Sequence, residues 1–401
     1  MRKKILMIIP KLSDGGAERV VSNLSMQLQH QYEMDILVDW KDIQYPYSGK
    51  AIVVDPTHVR CSNIIHELLV YVKKAFILKK MKRKHLYDCY ISHSDISNIL
   101  NLLTGNKGCK VILTLHNQSA NRQQDSRISG IIEFFEKNFY KNANQIITVS
   151  NGVAGEFVEK YSISHEKITA IWNGTDIGNI EQKAQLPLPK EQEEWFTPGR
   201  TVTTMGRCSQ QKGQIHLIRA FTEVVKKYQD AKLLLLGTGE LYQSFKHLIQ
   251  ELKLEKNVIL CGFQENPFSI IARSDVFVFP SLWEGFGYAL EEAICCRVPC
   301  ISTDFKYGAR EIMHYRENEM PNGITEAIYT DFGVLVPVCR NTVRAEENIC
   351  LSAEEKIIAE AIIAVLRDEK YRQKIIEKNN SRLEEFSLEK MGKQWSEVIG
   401  K

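Results

Sequence analysis

At 401 residues, 44% hydrophobic and 25% charged, the chain reads as globular, too long for one ordinary core and long enough for two domains. A formal net charge of +3 excludes a strongly basic nucleic-acid binder, and no apolar run reaches the ~18–20 residues of a membrane-crossing helix. Ten cysteines without a regular framework fit a reducing compartment better than a disulfide scaffold.

The first stretch, MRKKILMIIP, has a basic start and an apolar run. Pro10, Lys11 and Asp14 cut it short and no small-residue cleavage site follows, so a signal peptide is not expected. Strand-like runs recur at 4–10, 34–40, 51–55, 88–93, 110–116 and 145–150. Most are continuously apolar, as in strands covered on both faces, and helical patterns such as 17–29, 62–84 and 128–142 lie between them. Residues 176–199 are polar and proline-rich with little periodicity, and read as a linker. A second alternating set follows: TVTTMG, KLLLLG, VILCGF, VFVFP, VPCIST and GVLVPV. Beyond about residue 350 the chain is helical and charged. The expectation is an α/β protein with doubly wound Rossmann-like domains at 1–175 and 200–380. Residues 381–401 form a C-terminal helix that is a candidate to return to the first domain. Two such domains imply a cleft, and ligands of wound sheets bind outside the carboxyl ends of strands.

The strand-tip loops hold the candidate chemistry. Gly15 and Gly16 separate the first strand from a helix, which lets a phosphate or sugar approach backbone N–H groups, although this is not the dinucleotide fingerprint. His116 ends another apolar strand; it is either structural or faces a ligand. TMGRCSQQKG supplies Arg207 and Lys212, and GTGE supplies Gly237, Gly239 and Glu240. In SLWEGFGYALEEAICC, Glu284 precedes the turn Gly285-Phe286-Gly287. Glu292 then shares a helix face with Ala289, Ala293 and Cys296. Both carboxylates are either solvated surface groups or acceptors for sugar and ribose hydroxyls; Glu291 reads as solvated. Cys295, Cys296 and Cys300 read as buried thiols, since no histidines stand at metal-ligand spacing.

Taken in order, GGAER (15–19), GRCSQQKG (206–213), GTGE (237–240), the pair Glu284 and Glu292, and GVLVP (333–337) resemble the retaining family 4 glycosyltransferases of the GT-B fold. The resemblance implies two Rossmann-like domains facing each other across a cleft, a nucleotide-sugar donor, no cofactor and no metal. Arg207 and Lys212 match the cations that hold the donor diphosphate. Glu284 matches the carboxylate at the donor sugar, and Glu292 the one that accepts from the ribose. Gly15, Gly16, Gly237, Glu240, Gly285, Phe286 and Gly287 fall on donor-binding positions. His116 resembles a strand-tip histidine that contacts sugar or acceptor. The chain departs from the common pattern in FKYGAREI (305–312), where Lys306 and Tyr307 stand in a loop usually small and glycine-rich, and in Asp331-Phe332 before GVLVP. Rival readings are a dehydrogenase, which lacks its fingerprint here, a nucleotide-sugar 2-epimerase of the same architecture, and a non-catalytic nucleotide-sugar sensor.

Residues 60–84 carry Arg60, Lys73, Lys74, Lys79, Lys80, Lys82, Arg83 and Lys84 against Glu67, a net +7 in a chain of +3. As a helix, Ile65, Leu68, Leu69, Val72 and Phe76 form one apolar face edged by Lys73, Lys80 and Lys84. The segment either packs on the core or lies on an anionic membrane surface. The second reading implies a peripheral protein on the cytoplasmic face, acting on a lipid-linked or glycan acceptor and on no nucleic acid.

Overall fold

In the computed structural model, residues 2–13, 15–57, 64–116, 127–313, 323–340 and 350–400 are described. The chain divides into two compact units, Met1–Gly174 with Phe386–Lys401, and Thr175–Glu385.

The first unit runs β1 (Lys4–Ile9), α1 (Gly16–Leu28), β2 (Glu33–Trp40), β3 (Ala51–Asp55), α2 (Ile64–Arg83), β4 (Cys89–His93), α3 (Asp95–Leu103), β5 (Lys110–Leu115), α4 (Arg127–Phe139), β6 (Gln145–Thr148), α5 (Asn151–Tyr161) and β7 (Ile168–Ala170). The strands line up as β3-β2-β1-β4-β5-β6-β7, and every pairing is parallel. Parallel strands need crossover helices and end up covered on both faces, which is why these segments are apolar without alternation. Strand order reverses between β1 and β4, so the tips of those strands form the switch point where such sheets bind ligands.

In the second unit, α6 (Ile177–Ala184) and α7 (Lys190–Glu193) occupy the stretch that reads as a linker. The Asp176 side chain caps α6 by accepting from the Asn179 N–H at 3.1 Å, a helix-start signal that the polar composition masked. The unit continues through β8 (Thr201–Met205), α8 (Gln214–Lys227), β9 (Lys232–Leu236), α9 (Tyr242–Glu251), β10 (Val258–Gly262), α10 (Phe268–Ile271), β11 (Val276–Phe279), α11 (Tyr288–Cys295), β12 (Cys300–Thr303), α12 (Ala309–Ile312), β13 (Ile328–Tyr329), β14 (Val334–Val336), α13 (Ala353–Arg367) and α14 (Glu369–Asn380). Its sheet order is β10-β9-β8-β11-β12-β14-β13, with only β13 antiparallel to its neighbour. The reversal here lies between β8 and β11.

The last helix, α15 (Leu388–Gly400), belongs to the first unit. Met391, Trp395, Val398 and Ile399 are buried in one cluster with Val21, Leu24 and Leu28 of α1 and with β1 and β2. Polar residues face outward, as in an ordinary amphipathic helix.

Helix α2 is built the other way round. Its buried face is Val70, Lys74, Leu78 and Lys82, spaced four apart. Lys74 Nζ lies 2.8 Å from Asp39 Oδ1 and donates to Ser97 Oγ, and both charged side chains are shut off from solvent. Lys82 donates to the carbonyl and the amide oxygen of Asn101, and burial lowers its ammonium to about 8. Ile64, Ile65, Leu68, Leu69, Val72 and Phe76 are each more than half exposed. The core-packed reading of this apolar face is therefore wrong: the core side of α2 is occupied by Val70, Leu78 and the stems of Lys74 and Lys82. Arg60 and the rest of 60–63 lie outside the described residues.

Candidate active site

The residues singled out in the sequence fall into two groups. Arg207, Lys212, Gly237, Glu240, Glu284, Gly285, Phe286, Gly287 and Glu292 belong to the second unit, and Gly15, Gly16 and His116 to the first.

In the second unit the loops leaving β8, β9, β11 and β12 are stitched together by backbone. Cys208 N–H donates to Thr238 O, Leu241 N–H to Cys208 O, and Leu282 N–H to Gln211 O. Gly237 sits at φ +133°, and a Cβ there would stand 2.2 Å from Gly206 O, so only glycine lets the β9 tip close on the β8 tip. Gly308, at φ +91°, does the same for the loop after β12: its Cβ would meet Phe286 O at 2.2 Å. The FKYGAREI loop thus packs on the Gly285–Gly287 turn, and Arg310 closes it with a two-pronged grip on Asp304, at 2.7 and 2.6 Å.

Inside this frame Lys212 Nζ lies 2.5 Å from Glu284 Oε1. The same oxygen accepts from Ser281 Oγ at 2.8 Å, while Gln211 Nε2 donates to Oε2 at 3.3 Å and to Trp283 O at 3.0 Å. Thr303 Oγ1 fixes the Ser281 carbonyl at 2.5 Å. The Lys212 ammonium also stands over the Phe279 ring, 5.5 Å from its centroid. A cation and a carboxylate are thus held together at the switch point, with two neutral donors, Ser281 and Gln211, on the carboxylate. Arg207 is mostly exposed and its Nε lies 3.1 Å from Glu240 Oε2. It is a solvated pair at the rim, worth little to stability and able to exchange partners at low cost.

Glu284 and Glu292 are both largely buried, so neither is a solvated surface carboxylate. Glu291 corrects the sequence reading. It is fully buried, accepts from Thr175 Oγ1 at 2.9 Å, and burial raises its carboxyl well above the usual range, the Thr175 hydrogen bond opposing and the Glu292 charge adding. On a surface helix Glu291 would be solvated, but α11 packs against β11, β12, α6, α10 and α14 and has no solvated side there. Cys295, Cys296 and Cys300 are buried, and burial raises all three thiols.

In the first unit Gly15 is the N-cap of α1 with extended backbone, and among the described residues no side chain caps the helix, which starts at Gly16. His116, just past β5, meets a residue that the sequence reading passed over. His93, at the tip of β4, places Nδ1 3.1 Å from His116 Nε2, and the rings stack at 5.4 Å. Thr114 Oγ1 lies 3.0 and 3.1 Å from these two nitrogens. Burial lowers both imidazoles, His116 to about 4 and His93 well below its ordinary value, so both are neutral near pH 7. The strand-tip signal that selected His116 applies equally to His93. Ser281 and Gln211 carried no comparable signal, because their roles depend on the folded turn.

Comparison with known proteins bears on this arrangement. Residues 188–331 match the family model described as Glycosyl transferases group 1, and residues 14–179 that of Glycosyltransferase Family 4. An uncharacterized glycosyltransferase of Methanocaldococcus jannaschii is 34% identical over 339 residues, 82% of this chain and 83% of that protein. The N-acetylgalactosamine-N,N'-diacetylbacillosaminyl-diphospho-undecaprenol 4-alpha-N-acetylgalactosaminyltransferase of Campylobacter jejuni is 30% identical over 313 residues, 77% of this chain and 83% of that enzyme. The crystal structure of Anabaena HepE in complex with UDP and glucose has the same fold, with a TM-score of 0.72 at 17% identity over 100% of both chains.

Proposed function

Since this chain belongs to the family 4 glycosyltransferases of GT-B fold, we propose that it transfers a sugar from a UDP-sugar to a polyprenyl diphosphate-linked glycan, with retention and without a metal. The observation that carries the proposal is the Lys212–Glu284 pair at the switch point of the second unit. Breaking the anomeric C–O bond leaves an oxocarbenium-like sugar and adds negative charge to the departing diphosphate. An ammonium has three donors. One Lys212 donor is spent on Glu284, which aims the other two at the leaving phosphate without reorganisation at the moment of reaction. Arg207, released from its rim pair with Glu240, adds the second cation. These two charges do the work a metal would otherwise do. The acceptor hydroxyl attacks on the leaving-group side: its oxygen bonds to the anomeric carbon, the bond to phosphate breaks, and its proton passes to the phosphate oxygen. Glu284 lies beside the sugar, and Glu292 takes the ribose hydroxyls. UDP in the Anabaena structure and the diphospho-undecaprenol acceptor named for the Campylobacter relative support the choice of donor and acceptor.

The exposed stripe of α2 supports work at a membrane surface. Its six apolar side chains are accompanied by exposed Lys73, Lys79, Lys80, Arg83 and Lys84. Apolar residues edged by cations suit an interfacial helix at an anionic leaflet, at ~1 kcal/mol per cation near the surface. We place the enzyme peripherally on the cytoplasmic face, where a lipid-linked acceptor is presented. The test of the donor is thermal unfolding with a panel of nucleotide sugars. A donor at 100 times its Kd should stabilise the protein by about 2.7 kcal/mol. A panel in which no uridine diphosphate sugar shifts the transition would overturn the reading.

A further inference from the structure

The histidine pair at the tips of β4 and β5 allows only two proton arrangements. Thr114 Oγ1 has one hydrogen, which can go to Ser92 O at 2.8 Å or to the imidazole nitrogen that carries none. Toward the imidazole nitrogen that carries a hydrogen the hydroxyl can only accept. Between His93 Nδ1 and His116 Nε2, at 3.1 Å, a hydrogen bond needs one N–H and one lone pair. Two lone pairs would repel and two hydrogens would clash. If His116 Nε2 carried the hydrogen, His93 would carry its own on Nε2. That atom is buried and, among the described residues, has no hydrogen-bond partner. An orphaned buried N–H is rarer and costlier than an unfilled acceptor. If instead His93 Nδ1 carries the hydrogen, it is shared between His116 Nε2 and Thr114 Oγ1, at 3.1 and 3.0 Å, and His93 Nε2 is left as a bare lone pair. The ring of Trp395, from α15, lies 6.4 Å from the His93 ring, so the returning C-terminal helix helps hold the imidazole in place.

The geometry points to His93 as a positioning residue that fixes His116 in the Nδ1–H tautomer, so that His116 presents a hydrogen-bond donor and not a base. With Nε2 occupied as acceptor and Nδ1 protonated, His116 has no lone pair left to take a proton from a hydroxyl. It can only donate, to an oxygen of sugar or acceptor if the proposed transfer reaction is right. The burial that keeps both rings neutral works in the same direction, because a charged pair would present N–H groups to each other. This division of labour suits a reaction in which the leaving phosphate takes the proton.

The test reads the tautomer first and activity second. Two-bond 1H–15N spectra of 15N-labelled protein report which ring nitrogen bears the hydrogen, with His116 and His93 assigned from His116→Gln and His93→Gln. Wild-type His116 is expected as the Nδ1–H form. His93→Phe keeps a ring in the stack and removes the donor, so His116 should switch to the Nε2–H form, donating to Thr114. His93→Asn returns an amide N–H near the Nδ1 position and should restore the Nδ1–H form. In transfer assays His93→Phe should lower kcat/KM roughly tenfold, the scale of one lost hydrogen bond, and His93→Asn should recover most of it. A wild-type His116 in the Nε2–H form overturns the assignment, and so does an Nδ1–H form that survives in His93→Phe. A tautomer switch with unchanged transfer kinetics supports the role of His93 and contradicts the place of His116 in the reaction.

Discussion

Replacing Lys212 by alanine separates what the ammonium does for the fold from what it does for the reaction. In the fold it balances Glu284, whose side chain is 10% exposed against 23% for the lysine. Stripping one partner from a fully buried pair costs ~3–5 kcal/mol. Here both side chains reach solvent, and Ser281 and Gln211 go on donating to the carboxylate, so a loss of about 1–3 kcal/mol in urea unfolding is expected. For the reaction, one preorganised donor at the leaving group is worth ~3 kcal/mol, about a hundredfold or more in kcat. Pairing Lys212→Ala with Glu284→Gln tells the two contributions apart. Relieving the stranded charge should return part of the stability, and it should return none of the rate. Initial rates of UDP release in the presence of acceptor, set beside unfolding curves of all four proteins, make the comparison. A Lys212→Ala enzyme within threefold of wild-type kcat would refute the reasoning, as would a double variant whose rate recovers with its stability.

The remaining predictions use the same proteins and simple readouts. Glu292→Gln should weaken donor binding by about tenfold with a smaller effect on kcat, whereas Glu284→Gln should depress kcat; calorimetry and rates showing the same pattern for both would merge their roles. Changing Lys79, Lys80, Arg83 and Lys84 together to Gln should release the protein from anionic vesicles and spare urea stability, while Lys82→Gln, which strips a buried donor from Asn101, should cost stability instead; vesicle binding unaffected by the fourfold change would remove the membrane reading. His93 and His116 have folded values below 6.5, so the unfolded chain takes up protons first and their stabilisation, complete above pH 6.5, drains away as pH falls, the His116 share down to about 4. The His116 share is about 3 kcal/mol, and His116→Gln should flatten the acid limb of the stability profile; a limb of unchanged slope would contradict the buried neutral pair.

Both wound sheets were legible because β1, β5, β9 and β11 are largely apolar without alternation, and a parallel strand can hide such a run only under crossover helices. The strand tips followed from that, and with them Arg207, Lys212 and Glu284. Beyond these points the sequence was mute for physical reasons. Glu291 looks like any helix-surface acid until the packing of α11 on all sides is known. Whether Lys74 and Lys82 point in or out depends on Asp39 and Asn101, which lie on other elements. The short β13 and β7 hold too few residues to show a period, and α6 hides in polar composition behind its Asp176 cap. Loop closures such as Gly308 on Phe286 are tertiary contacts, and their glycines read locally only as turns.

Anomeric configuration tests the central claim most directly. The enzyme would be incubated with the UDP-sugar found by thermal shift and a polyprenyl diphosphate-linked acceptor, and the first-formed product examined by proton NMR. The account predicts that UDP release depends on the acceptor and that the new linkage keeps the configuration of the donor. An inverted linkage would contradict it, and so would turnover of the UDP-sugar to an epimer without acceptor.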